Sequence, residues 1–514
     1  MEYMYKVLIN PFVKYLDVFI ILFVLYTFNV VYEHISIFES LKFSLYLTLN
    51  GFLLSYITTL TLSMLPKLMR RIMLSFIVLF FSIFFIVEFY CIDYLKAPFN
   101  EDFAMLILAT NPNEASEFMQ SMIPLDFVFR LCVFIAFIGL LCYVINKITI
   151  RKYIVLLMLF VLAVSGSASI YNLSSWNQSV LKRIYRIVTF EAEEEPDSIR
   201  KYFTNPMVDI SQTSPLNMVV VIGESFSKYH SSIYGYEKNT NPLLSQLQID
   251  SSLIVFDSVA SAGLTTMISF KYMMSDYSPN SDNKEWYKHR LLLDVLKSAG
   301  YRTHWISNHS KIGRQNNVTK LLAEACDDNS FTGNVTSDFS TIYDEQVISI
   351  ADSLIPKLEK QKYNCYFFHL MGSHFKFDFR YPKNFDVFTV NDYLDKPEHQ
   401  RATLASYDNS ILYNDKVVYE IIQLFKEKDA IIIYLADHGL DVYNSSEYYA
   451  AHGKINDPIS AKYGSEIPFF IYPTELYKQN NPDVVSELKE SRNQSIRTDS
   501  LMNIIMNIAK IRYK

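Results

Sequence analysis

The chain has 514 residues and a formal net charge of −6, with 50% apolar and 15% aromatic residues. This length exceeds one ordinary hydrophobic core, so we expect two or more structural units. The acidic balance, without any long basic block, excludes nucleic acid as a partner. Apolar residues are concentrated before residue 172, which separates a hydrophobic first part from a mixed second part.

The five cysteines do not indicate a disulfide framework. Three of them lie in apolar runs of the first part, and Cys326 and Cys365 lie in the second part. No CxxC or Cys/His spacing typical of a structural zinc site is present. The sequence does not decide whether Cys326 and Cys365 pair with each other.

Five long apolar segments before residue 172 predict transmembrane helices. They cover residues 15–33, 43–66, 72–92, 127–146 and 153–171. Each is close to the ~20 residues that a helix needs to cross a bilayer. The alternative, a set of buried helices in a large soluble core, is disfavoured because the five segments leave almost no polar face. We therefore predict a transmembrane domain of five helices over residues 1–172.

Charges in the short connecting loops predict the orientation of these helices. The loops between the second and third and between the fourth and fifth segments contain Lys67, Arg70, Arg71, Lys147, Arg151 and Lys152. The alternate loops are mainly acidic. Because basic loops remain in the cytoplasm, the N-terminus is predicted to be cytoplasmic and everything after the fifth segment to lie outside.

Two further stretches have a mixed character. Residues 93–126 include "FAMLILATNPNEASEFMQSMIP", whose amphipathic spacing predicts a segment that lies along the membrane surface or packs on neighbouring helices. Residues 173–205 combine a tryptophan, basic residues and an acidic run. This composition predicts an interfacial helix and a linker to the next domain.

From residue 206 onward, short β-branched runs alternate with helical stretches. The predicted strands are 217–223, 252–259, 301–307, 363–372, 430–436 and 466–472. This alternation predicts an α/β domain over residues 206–514, with a mainly parallel sheet flanked by helices. Ligands of such sheets bind beyond the carboxyl ends of the strands, so residues that follow the strands are the candidates for a functional site.

Acidic residues and histidines follow three of the predicted strands. The side chains concerned are Glu224, His369, His374, Asp437, His438 and, further along, His452. Each of them taken singly is typical of a helix cap, a core residue or a surface residue. Four of the ten histidines in the chain nevertheless gather after two strands beside acidic residues. Carboxylate and imidazole together favour zinc or manganese.

The segment "SAGLTTMIS" follows the second predicted strand. Gly263 permits a tight turn, and Thr265 and Thr266 stand where a helix can begin. A threonine pair there is typical of a helix cap, but helix N-terminal amides also favour a phosphate or a developing alkoxide.

A metal ion held by Glu224, Asp437 and His438 would leave an open position beside Thr266. Coordination of a hydroxyl lowers its pKa, which threonine needs in order to act as a nucleophile near neutral pH. Such a site is suited to attack on phosphorus or sulfur.

These motifs, in this order, resemble the phosphoethanolamine transferases of the alkaline phosphatase/sulfatase superfamily. The matching stretches are "GESFSKYHSSIYGY", "SAGLTTMIS", "HLMGSH", "YDNSILYND" and "ADHG" followed by "AHG". The five predicted spans and "ATNPNEASE" also look like the membrane half of that family. The resemblance implies a multi-pass protein of the inner membrane with a periplasmic sulfatase-like catalytic domain.

The resemblance further implies a reaction and its substrates. Phosphoethanolamine would pass from phosphatidylethanolamine, through a phosphothreonine intermediate, to lipopolysaccharide, at lipid A or its core, or to another envelope glycan. Members of this family that modify lipid A cause polymyxin resistance. The implied cofactor is one zinc ion, with a second ion possible.

Roles for individual residues also follow from the resemblance. Thr266 would be the nucleophile. The zinc ligands would be Glu224, Thr266, Asp437 and His438. The residues that contact the substrate would be His374, His452, Asn308, Thr110 and, in a supporting role, His369. His374 and His452 could instead bind a second zinc ion.

The chain departs from the family pattern at several positions. A cysteine usual before the nucleophile turn is Ala262 here, and its usual partner is Tyr272, so that disulfide is absent. The family pattern has a basic residue three positions after the glutamate. In this chain that position is Ser227, and the basic residue, Lys228, follows one position later. These departures leave the acceptor undecided among a lipid A phosphate, a core sugar, another glycan and a protein.

Three other functions remain as alternatives. A phosphoglycerol transferase combines five spans with the same kind of domain. A sulfatase or phosphatase would transfer to water, but sulfatases carry Cys or Ser followed two residues later by Pro and then Arg, which "SAGLTTMIS" lacks. A non-catalytic receptor or scaffold would be expected to have lost one of the four proposed zinc ligands, and all four are present.

Overall fold

The computed structural model describes residues 14–36, 41–91, 99, 125–147, 161, 164, 206–210, 216–281, 285–309, 318–332, 342–358, 361–445 and 457–513. The chain divides into two compact units. Described residues up to 164 belong to the first unit, and those from 206 onward belong to the second. The division coincides with the change from apolar segments to an α/β pattern in the sequence.

The described part of the first unit contains long apolar helices. They are α1 (Leu16–Ser36), α2 (Leu41–Ser63), α3 (Lys67–Tyr90) and α4 (Leu125–Lys147). These helices overlap the first four predicted spans. Within the described ranges, α3 is the one helix long and apolar enough to cross a membrane, and shorter apolar stretches occur at Leu16–Thr27 and Phe127–Phe137.

Several predictions for the first part fall on residues outside the described ranges. The fifth predicted span (153–171), the loop at 93–126 and the linker at 173–205 are described at few or no positions. The count of five helices therefore stays a prediction.

The second unit is built around a seven-stranded sheet. Its strands and those of two small sheets are β1 (Val208–Ile210), β2 (Asn217–Gly223), β3 (Ile254–Val255), β4 (Val259–Ala260), β5 (Arg302–Ser307), β6 (Asp328–Phe331), β7 (Asn364–His369), β8 (Ala430–Ala436), β9 (Phe469–Pro473), β10 (Ile496–Arg497) and β11 (Ile511–Tyr513). The strand order of the large sheet is β3-β9-β8-β2-β7-β5-β6. Neighbours from β8 to β6 are parallel, whereas β9 is antiparallel to β8 and β3. The sheet is therefore mixed: most neighbouring strands are parallel, in agreement with the predicted mainly parallel sheet, and β9 is the antiparallel exception.

Ten helices are described in the second unit. They are α5 (Pro242–Ile249), α6 (Thr266–Met273), α7 (Leu292–Ser298), α8 (Val318–Ala325), α9 (Glu345–Leu358), α10 (Glu398–Phe425), α11 (Pro458–Ser465), α12 (Glu475–Asn480), α13 (Pro482–Ser491) and α14 (Leu501–Ile508). Together with the sheet they form the α/β domain that the sequence predicts.

The central strands are buried along almost their whole length. In β2, "NMVVVIG", every residue after Asn217 is buried, and in β8, "AIIIYLA", every residue is buried. Successive side chains of a strand point to opposite faces, so both faces of the sheet are covered. This burial explains why the apolar runs predicted β2 and β8 with their observed boundaries.

Edge strands were predicted less well. The second predicted strand is shortened to β3, and β6 was missed because its sequence, "DNSF", lacks an apolar run. It lies at the end of the sheet, where all four of its residues are only partly buried. Cys326 and Cys365 are buried free thiols and do not pair. Burial raises the pKa of Cys326 to about 12, so this thiol stays protonated.

Candidate functional site

The register of three parallel strands brings the predicted ligands to one edge of the sheet. Gly223 of β2 lies opposite Ala436 of β8, and Ile222 lies opposite His369 of β7. The residues that follow β2 and β8 therefore leave the sheet side by side. This is the carboxyl end of the strands, where ligands of open α/β sheets bind.

Glu224, Asp437 and His438 form a buried cluster that could hold a metal ion. One ligand atom from each lies within 4.8 Å of the others. The Nε2 atom of His438 lies 3.3 Å from Glu224 Oε1 and 3.4 Å from Asp437 Oδ2. The three residues are at most 1% exposed. Buried charges of this kind are paired or bind metals, because isolated charges cost several kcal/mol to remove from water.

Local hydrogen bonds orient these three side chains. The Nδ1 atom of His438 lies 2.9 Å from the carbonyl oxygen of Gly439 and donates to it, which directs Nε2 at the two carboxylates. The Oδ1 atom of Asp437 accepts the backbone N–H groups of Ser225 (3.1 Å) and His438 (2.7 Å). The other oxygen, Oδ2, is buried without a hydrogen-bond partner among the described residues. One carboxylate oxygen is therefore held by the backbone while the other is left for a cation.

Burial and mutual charges shift the pKa values of all three residues of the cluster. Burial and the charge of Glu224 raise the pKa of Asp437 to about 8. Burial opposes the charge on His438, but Asp437 and Glu224 raise its pKa to about 9. Burial also opposes ionisation of Glu224, but the hydrogen bond and charge of His438, together with His374 and His309, keep its pKa well below the ordinary value. A bound cation would displace protons from these groups.

Thr266 directs its hydroxyl at this cluster. Its Oγ1 atom lies 3.2 Å from both carboxylate oxygens of Glu224 and 3.5 Å from His438 Nε2. Thr266 is the first residue of α6, and Thr265 is the N-cap residue without a side-chain capping hydrogen bond. The two threonines therefore differ in role, since only Thr266 contacts the acidic cluster. The positive end of the α6 dipole lies beside the hydroxyl and favours negative charge there.

The turn after Glu224 is strained and is held by neighbouring groups. Ser225 has a φ of 57°, which is unfavourable for a residue with a side chain. Its backbone oxygen accepts the hydroxyl of Tyr407 at 2.9 Å, and its own hydroxyl donates to Glu224 Oε1 at 2.9 Å. These contacts fix the direction in which Glu224 leaves β2.

The loop after β7 packs directly against the backbone of Glu224. Asp344 accepts the backbone N–H groups of Met371 and Gly372, each at 2.8 Å. Gly372 has a φ of +51°, and a Cβ atom there would lie 2.8 Å from Glu224 N and 2.9 Å from Glu224 O. Only glycine fits this close approach without displacing Glu224.

Substitution of Gly372 by alanine should therefore disturb both stability and the site. We expect a loss of ~1–2 kcal/mol for the left-handed backbone and a further ~1–3 kcal/mol for the contact with the Glu224 backbone. Chemical denaturation measures the loss of stability. Calorimetry of zinc binding measures whether Glu224 has been displaced.

Gly300→Ala is the matched control. Gly300 also has a left-handed φ, of +90°, but a Cβ atom there would meet nothing within 4 Å. It should lose only the backbone component and keep the zinc affinity of the unmodified protein. Equal zinc affinities for the two variants would contradict the proposed contact.

The other predicted site residues have different outcomes. His374 is half-buried, and its Nδ1 lies 2.7 Å from the backbone oxygen of Phe375. Asn308 is almost fully buried, and its amide nitrogen donates to Asp344 Oδ1 at 2.8 Å. Asn308 thus helps to hold the loop after β7, and its contact with substrate stays a prediction. His452 and Thr110 lie outside the described residues.

One site histidine was missed by the sequence analysis. His309 follows β5 and stacks on His369, with ring centroids 3.9 Å apart and planes 4° apart. Glu224, His309 and His369 form a second group whose ligand atoms lie within 4.8 Å of one another. The signal was present in "WISNHS", because His309 follows a predicted strand just as the other candidates do.

Comparison with known proteins agrees with this architecture. The model of the sulfatase family matches residues 216–511, which is more than half of the chain. Phosphoethanolamine transferase EptA of Helicobacter pylori is 27% identical over 458 residues, covering 82% of this chain and 80% of that protein.

Two solved structures have similar folds. The C-terminal periplasmic domain of Escherichia coli EptC, in complex with zinc, has a TM-score of 0.55 and 23% identity. The match covers 60% of this chain and 87% of that one. The integral membrane protein lipooligosaccharide phosphoethanolamine transferase A of Neisseria meningitidis has a TM-score of 0.67 and 16% identity, with coverage of 98% and 96%.

The resemblance inferred from the motifs is confirmed by these matches. The family model includes the ends of β2 and β8 and the start of α6, which are the three places that supply the cluster. On the extent of that match and on the fold, this chain belongs to the sulfatase family and resembles its phosphoethanolamine transferases.

Proposed function

We propose that this protein is a zinc-dependent phosphoethanolamine transferase. The observation that carries the proposal is the position of Thr266, whose hydroxyl lies 3.2 Å from Glu224 in a buried cluster of two carboxylates and an imidazole. A hydroxyl in this position suits a covalent nucleophile that carries the group before an acceptor takes it. The transferases to which the chain is similar support phosphoethanolamine as the group transferred.

The residues of the cluster fit a zinc ion. Two carboxylates and one imidazole are a donor set that zinc accepts, and Thr266 would complete four ligands. The buried Asp437 Oδ2 has no hydrogen-bond donor among the described residues, which suits a cation. When bound, zinc would lower the pKa of the threonine hydroxyl and supply positive charge near the transferred phosphoryl group.

The side chains of the protein then define two displacement steps. In the first, Thr266 Oγ1 loses its proton and forms a bond to phosphorus of phosphatidylethanolamine, the bond from phosphorus to the diacylglycerol oxygen breaks, and diacylglycerol takes up a proton and leaves as the alcohol. In the second, an acceptor oxygen attacks the phosphothreonine, and the bond from phosphorus to Oγ1 breaks. Glu224, which accepts the hydroxyl hydrogen bond, keeps Oγ1 oriented, and the N-terminus of α6 favours the charge that develops.

Five further residues belong to the proposal as substrate contacts. They are His374, His452, Asn308, Thr110 and, in support, His369. The half-buried position of His374, whose charge contributes to the low pKa of Glu224, supports a role beside the transferred group.

The membrane part would deliver the lipid donor. We assign residues 1–172 to a five-helix transmembrane domain, 173–205 to an interfacial helix and linker, and 206–514 to the catalytic domain. The exposed apolar residues Leu68, Ile72, Phe76, Leu79 and Ile83 of α3 suit contact with lipid. With a cytoplasmic N-terminus, the catalytic domain would face the periplasm, where donor lipid of the outer leaflet is accessible.

The acceptor is proposed to be lipopolysaccharide, at lipid A or its core, or another envelope glycan. The similar Neisseria protein is named for transfer to lipooligosaccharide, and this supports an acceptor of that class.

A trapped intermediate tests the proposal. The full-length protein in detergent is incubated with phosphatidylethanolamine, and its peptides are analysed by mass spectrometry. We expect one phosphoethanolamine group on Thr266, and the same adduct in Thr265→Ala, because Thr265 makes no capping bond. A phosphoglycerol group after incubation with phosphatidylglycerol, without any adduct from phosphatidylethanolamine, would instead identify a phosphoglycerol transferase.

A further inference from the structure

The turn before Thr266 is joined to the backbone of Asp437 by a buried hydroxyl. Ser261 comes directly after β4 and is 6% exposed. Its Oγ atom donates a hydrogen bond to the backbone oxygen of Asp437 at 2.5 Å. The segment 262–265 separates Ser261 from Thr266. The hydroxyl therefore connects the turn before the proposed nucleophile to the loop that supplies two of the cluster residues.

Ser269 extends this connection into α6. Its Oγ atom lies 3.1 Å from Ser261 Oγ, and both residues are buried. Because the proton of the Ser261 hydroxyl is used in the bond to Asp437, Ser269 is the donor in this second hydrogen bond. Ser269 follows Thr266 by three positions, so the two side chains lie on the same face of α6. Two hydroxyls in series thus join the Asp437 backbone to the helix face that carries Thr266.

The turn itself lies directly against α6. A Cβ atom at Gly263 would lie 2.7 Å from the backbone nitrogen of Ser269 and 2.9 Å from its Oγ atom. A side chain at this position would therefore push the turn and the helix apart. The close approach keeps the hydroxyls of Ser261 and Ser269 within reach of each other.

One short segment holds the backbone of this turn and the loop after β8. The backbone N–H of Ser261 donates to the backbone oxygen of Ser465 at 2.8 Å. The backbone N–H of Gly439, which follows His438, donates to the backbone oxygen of Gly464 at 2.9 Å. Two consecutive carbonyl groups at the end of α11 thus hold both stretches of chain. Since the backbone of Ser261 is held in this way, its hydroxyl can determine where α6 lies relative to Asp437.

We propose that Ser261 is a positioning residue for the transfer reaction, and that its hydroxyl, together with that of Ser269, sets the distance between Thr266 Oγ1 and the acidic cluster. The inference rests on the proposed function, because it concerns the reaction in which Thr266 is the nucleophile. Ser261 acts through the positions of Thr266 and Asp437 rather than on the substrate. A misplacement of ~1 Å can lower a rate by ~100-fold, so loss of this connection should affect the chemical step.

The rate of adduct formation in Ser261→Ala tests the inference. Full-length protein in detergent is loaded with Zn²⁺ and mixed with phosphatidylethanolamine, and phosphoethanolamine on Thr266 is followed in a single turnover by mass spectrometry. We expect the maximal rate to fall by ~10–100-fold. The concentration of phosphatidylethanolamine that gives half of this rate should change by less than about twofold, because Ser261 contributes no binding energy to the lipid. An unchanged rate in folded Ser261→Ala would overturn the inference.

A double variant tests whether the two hydroxyls act in series. Because the hydroxyl of Ser269 reaches Asp437 through Ser261, removal of either one breaks the same connection. The rate in Ser261→Ala/Ser269→Ala should therefore lie within about threefold of the slower single variant. Two losses of rate that multiply in the double variant would contradict a connection in series.

Thr474→Val is the matched control for lost stability. Thr474 is fully buried, and its Oγ1 atom accepts the backbone N–H of Ala430, the first residue of β8, at 3.1 Å. Asp437 follows the other end of this strand, ~20 Å away at ~3.3 Å per residue. Valine keeps the shape of threonine, so Thr474→Val should be less stable in thermal unfolding but form the adduct at the unmodified rate. An equal loss of rate in Thr474→Val and Ser261→Ala would overturn the positioning role.

Hydrogen exchange measures the connection without zinc or substrate. In metal-free protein, the amides at the start of α6 should exchange roughly 5-fold faster in Ser261→Ala, as expected for loss of about one hydrogen bond. Thr474→Val should leave the exchange of this helix unchanged. Mass spectrometry of the peptide that covers residues 261–274 provides the readout.

The two measurements separate this inference from the proposed function. If the unmodified protein forms the Thr266 adduct and Ser261→Ala changes neither its rate nor the exchange of α6, this inference alone is overturned. If Ser261→Ala speeds the exchange of α6 but the unmodified protein forms no adduct, the connection between α6 and Asp437 is supported and the transferase assignment is overturned.

Discussion

Thr266→Ala should abolish transfer, with kcat/KM lower by at least ~1000-fold, because loss of a covalent nucleophile removes the chemical step itself. Thr266 is only partly buried, and its methyl-sized loss leaves α6 with a good helix former, so the variant should fold. The measurement is release of diacylglycerol from phosphatidylethanolamine in detergent, together with mass spectrometry of surface glycolipids and glycans from cells that express each form.

Two controls accompany this result. Thr266→Ser retains a hydroxyl and should recover part of the activity, whereas Thr266→Val matches the shape of threonine and should not. Thr265→Ala should remain close to the unmodified protein, since its side chain makes no capping bond. An unchanged phosphoethanolamine adduct on glycolipids from cells expressing Thr266→Ala would refute the assignment of the nucleophile.

Asp437→Asn should separate the role of this carboxylate in zinc binding from its effect on folding. In metal-free protein, burial and the charge of Glu224 raise the pKa of Asp437 and so favour its neutral form, which asparagine imitates. The metal-free variant should therefore be at least as stable as the unmodified protein. With Zn²⁺ at 100 times Kd, the unmodified protein should gain about 2.7 kcal/mol from zinc bound at the cluster of Glu224, Asp437 and His438, and the variant should lose this gain.

The pH dependence of the metal-free proteins has a definite sign. The pKa of Asp437 is raised from 3.8 to about 8, so the folded state binds more protons than the unfolded chain between these values. The contribution of this group to stability must then fall as the pH rises through that window. The stability of Asp437→Asn relative to the unmodified protein should therefore increase as the pH rises. Differential scanning calorimetry at several pH values measures it, and a variant less stable at pH 8 than the unmodified metal-free protein would contradict the account.

Much of the candidate site could be predicted because its residues occur at strand ends. Runs such as "VVVIG" and "IIIYLA" are long, apolar and β-branched, so they indicate buried strands without knowledge of their partners. Their ends then place Glu224 and Asp437 at one edge of any parallel sheet. Thr266 was predicted from a turn and a helix start, which are also local signals.

Other features depend on contacts between distant segments. Nothing local in "SNHS" shows that His309 stacks on a histidine 60 positions later, because the parallel pairing of β5 with β7 creates that contact. The requirement for glycine at Gly372 comes from the backbone of Glu224, almost 150 residues earlier in the chain. The reversed direction of β9 is set by its connection and partners, since its apolar run would suit either direction.

The sequence by itself determined the apolar segments, the central strands and the identity of Thr266 and the three cluster residues, because periodicity and residue chemistry are properties of short stretches. Only the tertiary structure decided which oxygens and nitrogens meet, since distances between atoms depend on strand register and loop packing. Glu224 illustrates both: its place after β2 follows from the sequence, while its position between two groups of potential ligands exists only once the strand ends of β2, β5, β7 and β8 come together.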